Sequence, residues 1–197
     1  SAGVVQRAEL LQLVLADLLG PQRLIKEGVL PAELLFGHPG FRLPFHGQTP
    51  AGGVWLHYYA ADLGRAPDGR WWVLADRTEA PSGMGFALEN RVVVSRMFPE
   101  IFRTFNVSRL APFFLALKAH LQEQAPAHRE NPRVVIMSRG PKHENYFEDA
   151  YLARYLGYSM VHGNDLTVRS GVVWLKTLDG LLPVDVLLRR PNSEACD

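Results

Sequence analysis

Residues 58–91, YYAADLGRAPDGRWWVLADRTEAPSGMGFALENR, decide the reading of this chain. The stretch opens with residues that suit a pleated, half-buried surface. Ala66-Pro67-Asp68-Gly69 then supplies a turn, with proline where a fixed φ helps and glycine at the end. The pattern predicts an antiparallel hairpin with strands over residues 54–63 and 70–78. Asp62 and Asp76 fall near the strand ends away from the turn. With a rise of ~3.3 Å per residue and ~4.8 Å between strands, their carboxylates are expected close enough to share a cation. The competing reading is that both simply terminate strands. Residues 79–85, EAPSGMG, form a loop, and helical spacing resumes at Phe86. A Ser82-Gly83-Met84-Gly85 loop feeding a helix start leaves backbone N–H groups pointing outward, a place for phosphate or carboxylate. The plainer alternative is an ordinary helix entry with Ser82 as its cap.

Bulk properties narrow the classes. A chain of 197 residues suits one domain, or one domain with a small appendage. Its net charge is +1 and its arginines are dispersed, which argues against a nucleic-acid partner or an acidic membrane surface. The single cysteine, Cys196, excludes an internal disulfide and leaves no thiolate zinc site. That usage fits a reducing compartment, and a cytoplasmic location is expected. No apolar run reaches the ~20 residues that cross a bilayer, so no membrane partner is expected. No signal peptide is read at the start. The opening Ser1-Ala2-Gly3 and the end at Asp197, soon after a strand-like run, make the chain read as a fragment of a longer protein.

Outward from the hairpin, residues 4–19 carry helical spacing through Val4, Ala8, Leu11, Val14, Leu15 and Leu18, ended by Gly20-Pro21. Short helices are expected over 22–27 and 31–36, giving a helical layer and loop over residues 1–53. The remainder, residues 54–197, reads as the α/β part. His38 and His46 lie in the Gly/Pro-rich loop 37–53 with no carboxylate or cysteine beside them, so solvated loop residues are a better reading than metal ligands. Residues 107–124 predict a helix with Ser108 as cap. Residues 133–138, 144–156 and 158–161 predict a strand, a helix and a strand, which is a βαβ unit with parallel strands. Ligands collect where such strands end, which places Gly140, Lys142, His143, Glu144 and Asn145 at the functional edge. Residues 165–169 and 172–176 predict a hairpin turning on Ser170-Gly171. Residues 184–189 predict a last strand, followed by the Arg189-Arg190 pair, an anion binder or a solvated strand end. The fold class is α/β (α+β): an N-terminal helical layer, a central antiparallel hairpin and a βαβ unit with a mixed sheet.

Four motifs in order, DLGRAPDGRWWVLADRTEAPSGMGFALENR, GPKHENYFEDAYLARYLG, GNDLTVRSGVVWLKTLDGL and VDVLLRR, resemble the bacterial circularly permuted ATP-grasp family, related to glutathionylspermidine synthases. The resemblance runs from about residue 10 to residue 197. It implies part of a circularly permuted ATP-grasp fold in a considerably longer parent. The implied activity is an ATP-dependent carboxylate–amine ligase: a carboxylate takes the γ-phosphate, and an amine then displaces phosphate to form an amide or peptide bond. The implied cofactors are ATP and Mg2+, the latter bridging the phosphates. The implied partners are small-molecule or peptide carboxylates and amines. Asp62 matches the first metal ligand. Asp76 stands one step out of register for the second, with Thr78 where Asn is expected. Ser82, Gly83 and Gly85 are the implied cofactor-binding residues. The arginine expected before Asp62 is absent, with Tyr59 and Ala60 in its place. Arg65 or Arg77 is left to substitute, and Arg77 with Ser82 forms the implied catalytic pair. Glu144, Asn145 and Tyr146 resemble the family's Glu-Asn-Tyr beside the polyamine or peptide substrate. None of the four lysines, Lys26, Lys118, Lys142 and Lys176, sits in a nucleotide clamp, so the fragment alone is expected to be inactive. A non-catalytic scaffold that kept the fold is the alternative.

Overall fold

The structure, a computed structural model, describes residues 2–193 and 196. It divides into two units, Ser1–Pro81 and Ser82–Asp197. The division falls after Pro81, inside the stretch 54–197 expected as the α/β part. The hairpin belongs with the N-terminal helices because side chains of the first helix reach it. Gln12 takes the N–H groups of Trp55 and Leu56 on its Oε1, both at 2.8 Å, and Arg7 pairs with Asp76.

The first unit holds α1 (Ala2–Leu19), α2 (Arg23–Lys26), α3 (Ala32–Phe36) and the hairpin of β1 (Ala60–Arg65) with β2 (Trp71–Arg77). Short 3-10 turns occupy Leu43–Phe45 and Ala51–Gly53 in the Gly/Pro-rich loop. The hairpin forms around the expected turn, where Gly69 N–H donates to the Ala66 carbonyl at 2.9 Å. β1 starts later than its β-prone residues predict. Residues 54–59 form no strand, since Gln12 has taken two of their backbone N–H groups. A bulge lies between Asp62 and Leu63. Among the described residues, the buried aliphatic and aromatic core side chains belong to the second unit, beginning with Met84.

That second unit opens with α4 (Met84–Met97), α5 (Pro99–Thr104) and α6 (Ala111–Glu123). α6 begins three residues past the expected Ser108 cap. Pro112 occupies its first turn, where a missing N–H costs nothing, and the Ser108 carbonyl instead accepts from Arg91 Nη1 at 2.7 Å. The βαβ unit is present as β3 (Val134–Met137), α7 (Tyr146–Leu156) and β4 (Ser159–Val161). A meander follows of β5 (Leu166–Arg169), β6 (Val172–Thr177) and β7 (Gly180–Pro183), and β8 (Val186–Arg189) returns beside β3. Parallel and antiparallel pairings both occur, in separate sheets. The order β4-β3-β8 is parallel throughout, and β5-β6-β7 is antiparallel. The architecture is thus the expected α+β arrangement of helices with both kinds of sheet. Strand β7 carries no expectation from the sequence. Val135, Ile136 and Leu152 are fully buried, and each such side chain contributes roughly 1.5–3 kcal/mol relative to exposure. No described helix is long and apolar enough to cross a membrane.

Candidate functional site

The hairpin register settles where its two carboxylates go. Ala61 lies opposite Asp76, and Asp62 lies opposite Ala75. Opposed residues share a face and successive residues alternate, so Asp62 and Asp76 leave the hairpin on opposite faces. Each has a cationic partner. Asp62 Oδ2 accepts from Arg77 Nη2 at 2.7 Å and Nε at 3.0 Å. Asp76 accepts from Arg7 Nε at 2.6 Å and Nη2 at 2.7 Å, and from the Tyr59 hydroxyl at 2.7 Å. The Arg7 and Tyr59 hydrogen bonds hold the Asp76 carboxyl down at about 2. Burial, then the bond to Asp76, pushes the Tyr59 phenol up. The expectation that the two carboxylates share a cation is corrected: the pleat sends them apart. Among the described residues, no group of three His, Cys, Asp or Glu side chains is placed to hold a metal ion. His38 Nδ1 accepts from Gly40 N–H at 3.0 Å, a loop contact. Asp62 and Asp76, each held by its own arginine, do not converge on one cation position.

The glycine loop is an anion site, and the anion belongs to the chain. Glu148, fully buried on α7, accepts on Oε1 from Gly83 N–H at 2.7 Å and Gly85 N–H at 3.0 Å. Backbone N–H groups at a helix start favour a negative charge, and Glu148 supplies it. Gly85 is required here because a Cβ would stand 2.8 Å from Glu148 Cγ. Arg190 completes the cluster, with Nη2 3.3 Å from Glu148 Oε2 and Nε 3.0 Å from Asp149 Oδ1. All three side chains are buried, so the guanidinium and the helix start together offset two carboxylates. Gly83 holds the helix N-cap position, and Ser82 is exposed rather than capping. In the loop expected to take phosphate at Ser82, Gly83 and Gly85, the Gly83 and Gly85 N–H groups point at Glu148. Arg77 and Ser82, the implied catalytic pair, fall in different units.

An open cavity of about 890 Å³ lies at the C-terminal ends of the parallel strands. Met137 ends β3, His162 follows β4 and Arg189 ends β8, and all three line it. This is the edge where ligands gather on parallel sheets. Arg139 and His143 come from the β3–α7 loop and lie 2.7 Å apart, Nη1 to Nε2. Of the residues expected at this edge, His143 lines the cavity, whereas Glu144 and Lys142 are exposed. Asn145 sits at the N-cap of α7, its N–H donating to His143 Nδ1 at 3.1 Å, and Tyr146 stacks on His162 with centroids 6.3 Å apart. The Arg189-Arg190 pair divides: Arg189 lines the cavity, and Arg190 is buried against Glu148 and Asp149.

Sequence reasoning missed Glu148 and Asp149. Their signal was present: residues 148, 149, 152, 153 and 156 form one helical stripe, and the other three are Leu152, Ala153 and Leu156. Two carboxylates on an apolar stripe require buried cationic or N–H partners. Arg139 and His162 were also passed over, and only the sheet order brings them to one edge.

The family described as circularly permuted ATP-grasp type 2 matches residues 1–197. An uncharacterized protein of Mycobacterium tuberculosis is 43% identical over 196 residues, which is 100% of this chain and 22% of the relative. One of Synechocystis is 36% identical over 195 residues, 99% of this chain and 40% of the relative. One of Mycobacterium leprae is 34% identical, covering 99% of this chain and 35% of the relative. The chain therefore spans between about a fifth and two fifths of these bacterial relatives. With the match extending over all its residues, the chain belongs to the circularly permuted ATP-grasp type 2 family.

Proposed function

We propose that the longer protein represented by this chain is an ATP-dependent carboxylate–amine ligase. It would join an acid and an amine, as small molecules or peptides, into an amide while ATP is converted to ADP and phosphate. The observation that carries this reading is the family match over residues 1–197. ATP and Mg2+ are the cofactors expected of the whole protein, and a cytoplasmic location accompanies them. Within it, this chain contributes framework and a substrate-side cavity. The hairpin carboxylates are engaged by Arg77 and Arg7, and the glycine loop by Glu148. A substrate-side role for Glu144, Asn145 and Tyr146 is part of this reading, and it is supported by the contacts of Asn145 with His143 and of Tyr146 with His162, both of which line the cavity.

The test is ADP release by the full-length protein supplied with MgATP and arrays of acids and amines, with the amide identified by mass spectrometry. ADP release that requires both an acid and an amine supports the ligase reading. Absence of ADP release, with no MgATP binding by calorimetry, overturns it. That result selects the second reading, a non-catalytic scaffold, which the occupied carboxylates and loop N–H groups favour.

A further inference from the structure

We propose that the outer edge of β5 takes an added strand, supplied by a segment of the longer parent chain outside residues 1–197. β5 is an outer strand of the sheet ordered β5-β6-β7. Its ladder fixes which main-chain groups are left over. The two-residue turn Ser170-Gly171 makes Arg169 and Val172 a hydrogen-bonded pair, and bonding then alternates, so Thr167 bonds Trp174. Leu166 and Val168 therefore turn their N–H and C=O groups outward. The neighbouring ladder agrees: Val173, opposite Val168, bonds away from β5, its carbonyl accepting from Val184 N–H at 2.9 Å. Leu166 N–H is used locally by the Gly163 carbonyl. Among the described residues, no hydrogen bond reaches the Leu166 carbonyl or the Val168 N–H and C=O. Leu166, Thr167 and Val168 all line the open cavity of about 890 Å³. Successive side chains of a strand point to opposite faces, so three in a row border a space that runs along the strand's main chain.

Bare sheet edges invite chance pairing, and proteins blunt them. The opposite edge of this sheet is blunted. Pro183 on β7 has no N–H to offer, and its carbonyl already accepts from Arg133 Nη1 at 2.8 Å. β5 carries no such device: Leu166–Arg169 holds no proline, no lysine and no bulge, and Val168 is 69% exposed. Its one charge, Arg169, stands at the turn. An edge built this way calls for cover in the whole protein. This chain spans 22% to 40% of the relatives it matches, so more than half of each relative lies outside it and can supply that cover. The register also states the chemistry of the segment. Leu166, Val168, Val173, Leu175 and Leu182 share one face of the sheet. A strand with an apolar residue at every second position continues that face, while its main chain bonds the Leu166 carbonyl and both groups of Val168. Such a segment fills the β5 side of the cavity and leaves the side formed by the β3–α7 loop to a ligand. The inference does not rest on the ligase reading.

The experiment is amide-resolved hydrogen exchange of the unaltered full-length protein, read by mass spectrometry with no ATP or peptide added. A bare edge gives an alternating pattern, in which Thr167 and Arg169, bonded to β6, exchange slowly and Val168 exchanges fast. An added strand gives Val168 the protection of its neighbours, slowing its exchange about a hundredfold or more. The measurement is repeated after dilution, and a second arm places a photo-reactive benzoylphenylalanine at Arg169 to cross-link whatever lies along the edge. The expected result is a protected Val168 amide at every protein concentration and a cross-link to a peptide from outside residues 1–197. Fast exchange at Val168 between two slow neighbours would overturn the proposal. Protection that fades on dilution would assign the edge to a second copy and overturn it equally, as would cross-links confined to residues 1–197. ADP release is not read here, so this inference and the ligase reading fail separately.

Discussion

Glu148 and Gly85 act as one unit, and single substitutions there should show it. Glu148→Gln removes the charge that two N–H groups and Arg190 surround, leaving Arg190 with a weakened set of buried partners. The expected cost is about 3 kcal/mol, the lower end for breaking a buried ion pair, read by urea denaturation. Gly85→Ala pushes a methyl against Glu148 Cγ and should cost about 1–3 kcal/mol by the same measurement. At Asp76 the handle is pH. Its folded pKa is depressed from 3.8 to about 2, so its bonds to Arg7 and Tyr59 stabilise the fold above the ordinary value. The contribution fades as pH drops below 3.8 and is gone below about 2. Melting curves of the wild type and Asp76→Asn should therefore differ at pH 6 and converge near pH 2. A gap that persists at pH 2 would contradict the assignment.

The elements explain which parts of the fold were legible. Ser170-Gly171 announced its hairpin because both residues must take positive φ, here 51° and 74°, and β-prone residues flank them. Gly171→Ala should cost about 1 kcal/mol, measured as a lowered denaturation midpoint, and Ser170→Asn should be neutral or stabilising. Residues 54–59 misled for the opposite reason. Their composition suits a strand, but strand formation needs a backbone partner, and Gln12 on α1 captured their N–H groups first. β7 went unread because its few residues, Gly180–Pro183, end in proline, a weak strand signal that only pairing with β6 rescues. The hairpin itself was legible, and the destination of its carboxylates was not. A displacement of one residue in register moves a side chain to the other face, and the bulge beside Asp62 lies outside any spacing rule.

Across the whole molecule, the buried apolar residues are unevenly shared. Among the described residues, the buried aliphatic and aromatic core side chains lie in the second unit, from Met84 to Val161. Residues 82–197 produced alone should therefore unfold cooperatively, with near-native secondary structure by circular dichroism. A broad, non-cooperative transition would contradict this. The sequence pointed to the hairpin and the glycine loop, whereas the open cavity lies at the parallel-sheet edge. That cavity is assembled by β3, β4 and β8, with Met137 and Arg189 distant in sequence, so no local motif announces it. Family membership was legible because long motifs survive in order, and it says nothing of which faces their side chains take.

The most direct test is an NMR titration of the isotopically labelled 197-residue chain with MgATP, following the backbone amides of Asp62, Asp76, Gly83 and Gly85. The chain's own Arg7, Arg77 and Glu148 hold these groups, so their resonances should stay in place at millimolar MgATP. Saturable, magnesium-dependent shifts at Gly83 and Gly85 together with Asp62 and Asp76 would contradict the account and restore the metal–phosphate site to the hairpin and its loop.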